Sequence, residues 1–108
     1  MATALIRKQL APSAATLTTL YTVPAATTGV ISSLVVCNRS ATPTSFRIAN
    51  RLLGAAISNE MYTHYDTTIG ANETVIVKSG ETFNATDVIS VYATLATLSF
   101  RLSAQELT

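Results

Sequence analysis

The sequence predicts an all-β fold, an antiparallel β-sandwich or jelly-roll-like barrel of about seven to eight short strands. Three observations carry this expectation. Runs rich in β-branched, aromatic and other apolar residues recur at spacings near ten residues. Several of those runs alternate apolar with polar residues, as a strand with one buried face requires. Clusters of Asn, Gly, Pro and Ser separate them, which is turn chemistry. At 108 residues there is room for one core, and a chain of this size buries roughly 65% of its unfolded surface. The expected organisation is a single sandwich over 14–108, preceded by 1–13 as an N-terminal arm or an edge strand.

The first thirteen residues lie outside the strand pattern. They hold Arg7 and Lys8, the only adjacent basic pair. This pair reads as a solvated segment, or as interface residues if the arm reaches a neighbour. Thr16 to Val23 is a first clear strand, stopped by Pro24, and Pro24 to Gly29 is a loop. Val30 to Asn38 is almost continuously apolar, as a sandwich interior demands, and contains the single cysteine, Cys37, expected to be a buried, inert thiol. Asn38 to Pro43 turns the chain. Ser45 to Ala49 alternates, with Phe46 and Ile48 facing the core, and Asn50 to Asn59 is an irregular connection weakened as a helix by Gly54. Glu60 to Ile69 is a strand carrying Tyr62, His64 and Tyr65, followed by a turn at Gly70–Asn72, a short strand Thr74 to Lys78, and a turn at Ser79–Glu81. The clearest alternation comes last. Ile89, Val91, Ala93 and Leu95 share one face of Val88–Leu95, and Leu98, Phe100 and Leu102 share one face of Thr97–Ser103.

Composition narrows the function. Charged residues are 12% of the chain, against about 25% in an ordinary soluble domain, and the formal net charge is +1. Mean hydropathy is +0.36. No run reaches the roughly 18 apolar residues of a membrane span, so no membrane role is expected. The surface must therefore be made largely of Thr, Ser and Asn, groups that lose little on desolvation if they are hydrogen-bonded. Such a surface suits permanent contact with other subunits, whereas a free domain normally relies on mixed charges for solubility. Seven scattered basic residues form no patch for phosphates, which argues against nucleic acid. No leader pattern of a charged stretch and an apolar core opens the chain, so the triplets beginning at Asn38, Asn72 and Asn84 read as turn chemistry rather than glycosylation sites.

Catalysis requires converging titratable groups, and they are few. His64 is the sole histidine, which rules out a multi-histidine metal site. It could share a strand face with Asp66, yet no Ser or Thr stands in a nucleophile-elbow motif. No calcium loop and no phosphate-cradling glycine loop is present. No enzyme activity, cofactor or metal is expected, and the six carboxylates are assigned to strand ends and turns. Of the four tyrosines, Tyr62 and Tyr65 are the candidates for an interface or a carbohydrate platform, because an apolar ring with one polar tip suits both.

Leu20–Pro24 (LYTVP), Val30–Ser40 (VISSLVVCNRS) and Thr44–Ala49 (TSFRIA) together with Tyr65–Asp66, Ile69–Thr74 and Ala85–Ala93 carry a resemblance. Over Leu20 to Leu102 the chain resembles a family of short virion proteins of tailed bacteriophages. It departs near Arg51–Leu53, where relatives have Arg-Pro and a small residue. The resemblance implies a structural virion component assembled in the host cytoplasm, with no catalytic residues. It does not fix a location in the virion; the leading expectation is a capsid decoration (cement) protein, a homo-oligomer such as a trimer that braces the major capsid protein shell. The alternatives are a tail, collar, neck or baseplate component that attaches fibres, and a host-surface or carbohydrate-binding module using Tyr62 and Tyr65.

Overall fold

Nine strands form among the residues described by the structure, a computed structural model covering 3–77 and 80–108. They are β1 (Thr3–Leu10), β2 (Thr18–Thr22), β3 (Thr28–Asn38), β4 (Thr44–Arg51), β5 (Tyr62–Ile69), β6 (Thr74–Val77), β7 (Thr82–Phe83), β8 (Val88–Ala93) and β9 (Leu98–Leu107). The apolar-polar alternation in β8 and β9 gives each strand one face to hide, and two sheets hide those faces against each other. One sheet has the order β1-β9-β3-β6, with β7 also on β3; the other has the order β2-β8-β4-β5. The pairs β1 with β9, β2 with β8, β3 with β6 and β4 with β5 are all antiparallel. Such nested pairing is a long hairpin rolled upon itself, the jelly roll. The expected all-β sandwich is present. Its extra strand is β7, two residues long and therefore too short to alternate.

The inner faces supply one cluster that includes Leu34, Val36, Phe46, Ile48, Phe83, Ile89, Val91, Leu98, Phe100 and Leu102. Phe46 and Phe100 meet edge to face across it, 6.2 Å between centroids. Each buried ring of this kind contributes about 1.5–3 kcal/mol relative to exposure. Gly29 is required by packing: a Cβ there would overlap the Gln105 carbonyl of β9 and stand 2.6 Å from Cζ of Phe83. β9 extends beyond the expected Ser103 to Leu107 because β1 and β3 flank it for its whole length.

Several expected boundaries move for identifiable reasons. The 1–13 segment contributes β1, hydrogen-bonded to β9 from Thr3↔Leu107 to Leu10↔Phe100, with Ile6 and Leu10 packed on the core. β2 begins at Thr18 rather than Thr16, since the Thr16 and Thr18 hydroxyls donate back to the Ala14 and Thr16 carbonyls and bend the chain. Leu95 does not join the face of Ile89, Val91 and Ala93. β8 stops at Ala93, the Thr94 N–H bonds to the Ser45 carbonyl, and Leu95 sits in the turn, 38% exposed. Asn38 is buried and organises two loops. Its amide donates to the Thr42 and Gly70 carbonyls while its Oδ1 accepts the Ser40 N–H. Met1 and Ala2, the expected strand end at Lys78 and the turn residue Ser79 lie outside the described residues. Among the described residues no helix is long and apolar enough to cross a membrane.

Candidate interaction surfaces

The outer face of the β2-β8-β4-β5 sheet carries an aromatic and cationic cluster, and a backbone irregularity builds it. Phe46 pairs with Thr67 and Ile48 with His64, so Arg47 alone opposes both Tyr65 and Asp66. The extra residue is a β-bulge, with Asp66 at φ 49. As a result Tyr65 and Asp66 both reach Arg47. Its Nε donates to Asp66 Oδ1 at 2.7 Å, and the guanidinium lies 4.2 Å from the Tyr65 ring centroid and 4.4 Å from that of Tyr92. The hydrogen bond to Asp66 pushes the Arg47 pKa further up, so the cation is fixed. Tyr62 meets Tyr65 edge-on at 4.9 Å. Tyr62 and Tyr65 are thus brought together, Tyr62 half-buried and Tyr65 58% exposed. The expected sharing of one face by His64 and Asp66 fails at the bulge. Asp66 turns to Arg47, and the His64 ring stacks at 6.1 Å on the core ring of Phe46.

Arg7 and Lys8 do not act together. As successive strand residues they point to opposite faces of β1. Lys8 lies on the side of Ile6 and Leu10, with Nζ 6.0 Å from the Tyr21 ring centroid. Tyr21, on β2, donates its hydroxyl to the Glu106 carboxylate on β9 and so ties the two sheets together. Burial first, and then Glu106, pushes the Tyr21 pKa up. Glu106 is therefore an intersheet tie rather than a solvated strand end.

Arg7 belongs to the outer face of the β1-β9-β3-β6 sheet, beside Gln9 and Arg101. Arg101 donates to Gln9 Oε1 at 3.3 Å. Neither arginine has a carboxylate in ion-pair range among the described residues. Next to them a groove of about 410 Å³ is lined by Gln9, Leu10, Val35, Cys37, Ser99 and Arg101. Cys37 is thus half-buried on the outer face and not an interior thiol. The apolar run of β3 misleads here because Val35 and Cys37 are apolar on the face away from the core.

The connection from β4 to β5 is the feature that the sequence reading left shapeless. Two single turns of 3₁₀ helix, Leu52–Gly54 and Asn59–Met61, frame it. Leu52 and Leu53 are 58% and 76% exposed, and Ile57 is exposed too. Leu53 holds φ 57, a left-handed conformation that a branched side chain adopts only when the surroundings impose it. They do so. The Leu53 N–H donates to Asp87 Oδ1 at 2.9 Å, and the Arg51 side chain donates to the Ala55 and Gly54 carbonyls at 2.8 and 3.2 Å. Asp87 is buried and accepts the Asn84 N–H on its other oxygen, so its role is structural rather than solubilising.

No protein-family model matches the chain, and no curated protein matches it. Among solved structures it is similar to a chain in the acidic stable capsid structure of Helicobacter pylori bacteriophage KHP30. The two are 11% identical with a TM-score of 0.56, over 100% of this chain and 89% of that one. What they share is the fold.

The cation of Arg47 is fully engaged, His64 is held on a core ring, and Asp87 and Glu106 hold backbone and hydroxyl groups. Among the described residues no three His, Cys, Asp or Glu side chains come together as a metal ion would require. Among the surfaces on offer are a tyrosine platform, an uncharged apolar loop, and an apolar groove beside Arg101.

Proposed function

We propose that this chain is a structural subunit of a bacteriophage virion, most specifically a capsid decoration (cement) protein that works by contact and carries out no catalysis. The observation that carries the reading is the exposed apolar loop Leu52–Ile57, held out in water by Asp87 and Arg51. Exposing large apolar side chains is costly, and bracing them in a left-handed conformation adds to that cost. The arrangement is accounted for if a partner covers them. The low charge of the chain, its resemblance to short phage virion proteins and its jelly-roll likeness to the chain from a phage capsid structure support locating that partner in a virion. On this reading the neighbours are the major capsid protein and sister copies, and stabilisation of the shell is the summed burial of such contacts.

Quantifying the protein in purified particles tests the reading. Hundreds of copies per particle, with density over the shell in particle images, is the expected result. A few to tens of copies would move it to a tail, collar or baseplate, and absence from particles would end the virion reading. A second reading, as a host-surface module, is favoured only by the platform of Tyr62 and the exposed Tyr65. It requires glycan binding that disappears in Tyr65→Ala.

A further inference from the structure

The β4–β5 loop and the outer groove lie at opposite ends of the molecule. Arg51, just before the loop, pairs with Val88, and Val88 pairs with Thr22, which places the loop at the end where β2 finishes and β3 starts. The groove lies where β1 and β3 finish, at Leu10↔Phe100 and Cys37↔Ser99, on the other sheet. The eight residues of β4 alone separate the two ends by roughly 25 Å at about 3.3 Å per residue. No chain can therefore place its loop in its own groove.

The two features are nevertheless complementary. The loop offers Leu52, Leu53 and Ile57 with no basic residue from Leu52 to Glu60, and Glu60, exposed beside it, has no cation in ion-pair range among the described residues. The groove offers Val35 and Cys37 beside Arg101, which likewise lacks a carboxylate among the described residues. Apolar surface would meet apolar surface, and, among the described residues, an acid bonded only to the Ser58 hydroxyl would meet a base bonded only to the Gln9 amide.

We propose that the Leu52–Ile57 loop of one copy seats in the Gln9–Arg101 groove of the next, with Glu60 against Arg101. This contact is heterologous, joining different surfaces of identical chains, so repetition generates a closed ring or a running row rather than a two-fold dimer. It rests on the assembly reading above, and it specifies which surface touches which.

The lone thiol makes the contact measurable. In Leu53→Cys each chain carries one thiol on the loop and the native Cys37 at the groove. With copper phenanthroline as oxidant, the expected product is a ladder of dimers, trimers and larger species on non-reducing gels. Adding Cys37→Ser should abolish the ladder, and Leu5→Cys, exposed on β1, should not reproduce it. Dimers alone, unchanged by Cys37→Ser, would overturn the proposal. Charge reversal is an independent check on exposed positions that leave the core untouched. Arg101→Glu should weaken self-association in sedimentation equilibrium by about tenfold, and Glu60→Arg added to it should restore it, as expected of paired interface charges. Failure of the double variant to restore association would overturn the contact. These results are independent of particle copy number. A chain abundant in particles yet giving no ladder refutes the self-contact alone, and a chain giving the ladder yet absent from particles refutes the virion reading alone.

Discussion

Tyr21 joins three environments: its ring is buried against Phe83 at 5.6 Å, its hydroxyl bonds Glu106 of the opposite sheet, and Lys8 lies over it. Burial and the neighbouring carboxylate both favour the neutral phenol, so its pKa is raised above the ordinary 10.0. The sign of the linkage follows. Below pH 10 the phenol is neutral in both the folded and unfolded chain, and the contribution is fully present. Above it the unfolded chain loses its proton first, and stability falls as pH rises toward the folded value. Urea denaturation between pH 8 and pH 11 should therefore show a decline above about pH 10 that is shallower in Tyr21→Phe, given the ordinary tyrosine pKa. An equal decline in both proteins would remove Tyr21 from the account.

At the scale of elements, β1 illustrates how a strand can be silent in sequence and firm in structure. Its burial pattern is almost uniformly exposed, with only Ile6 and Leu10 half-buried, so no alternation marks it. What holds it is the long ladder to β9, a pairing between residues about a hundred positions apart that no local pattern encodes. Removing residues 1–10 would bare one edge of β9 and strip cover from the core. The expected loss is on the order of 2–3 kcal/mol, a fall of at least about 10 °C in Tm, with aggregation through the exposed edge. An unchanged thermal transition would show that β1 adds nothing to the fold. The core strands were legible because Phe46, Ile48, Ile89, Val91, Phe100 and Leu102 alternate with polar neighbours. The candidate surfaces were legible only in part. Tyr62 and Tyr65 were identifiable as aromatic pairs, but the bulge that aims Asp66 at Arg47 depends on pairing with β4. The exposed loop was hidden because Leu52, Leu53 and Ile57 look like core residues until burial is known. Its one local hint was Gly54 after two leucines, and the buried carboxylate that braces it comes from Asp87, far along the chain.

For the whole molecule, the two sheets make a slab 45 × 26 × 19 Å with one aromatic platform, one apolar loop and one groove distributed over different faces. On the decoration reading, separate contact surfaces on different faces would let one molecule bridge several neighbours. Particles lacking this protein should then still enclose DNA but release it at lower temperature, read as the midpoint of dye fluorescence during heating. Supplying purified protein should return the midpoint to that of complete particles, and Leu53→Asp protein should fail to do so. Equal midpoints with and without the protein would remove the bracing role.

The seam between Thr3 and Leu107 also has a consequence in time. β9 lies between β1 and β3, so a growing polypeptide has both flanking strands long before the one that must join them. Until then β1 and one whole edge of β3 wait without their ladder partner. Closure of that sheet therefore waits for β9, and it is slow, because strands so distant in sequence must find each other. On the self-contact proposed above, the groove walled by Ser99 and Arg101 of β9 exists only after this step, so a half-made chain has nothing for a neighbour's loop to enter.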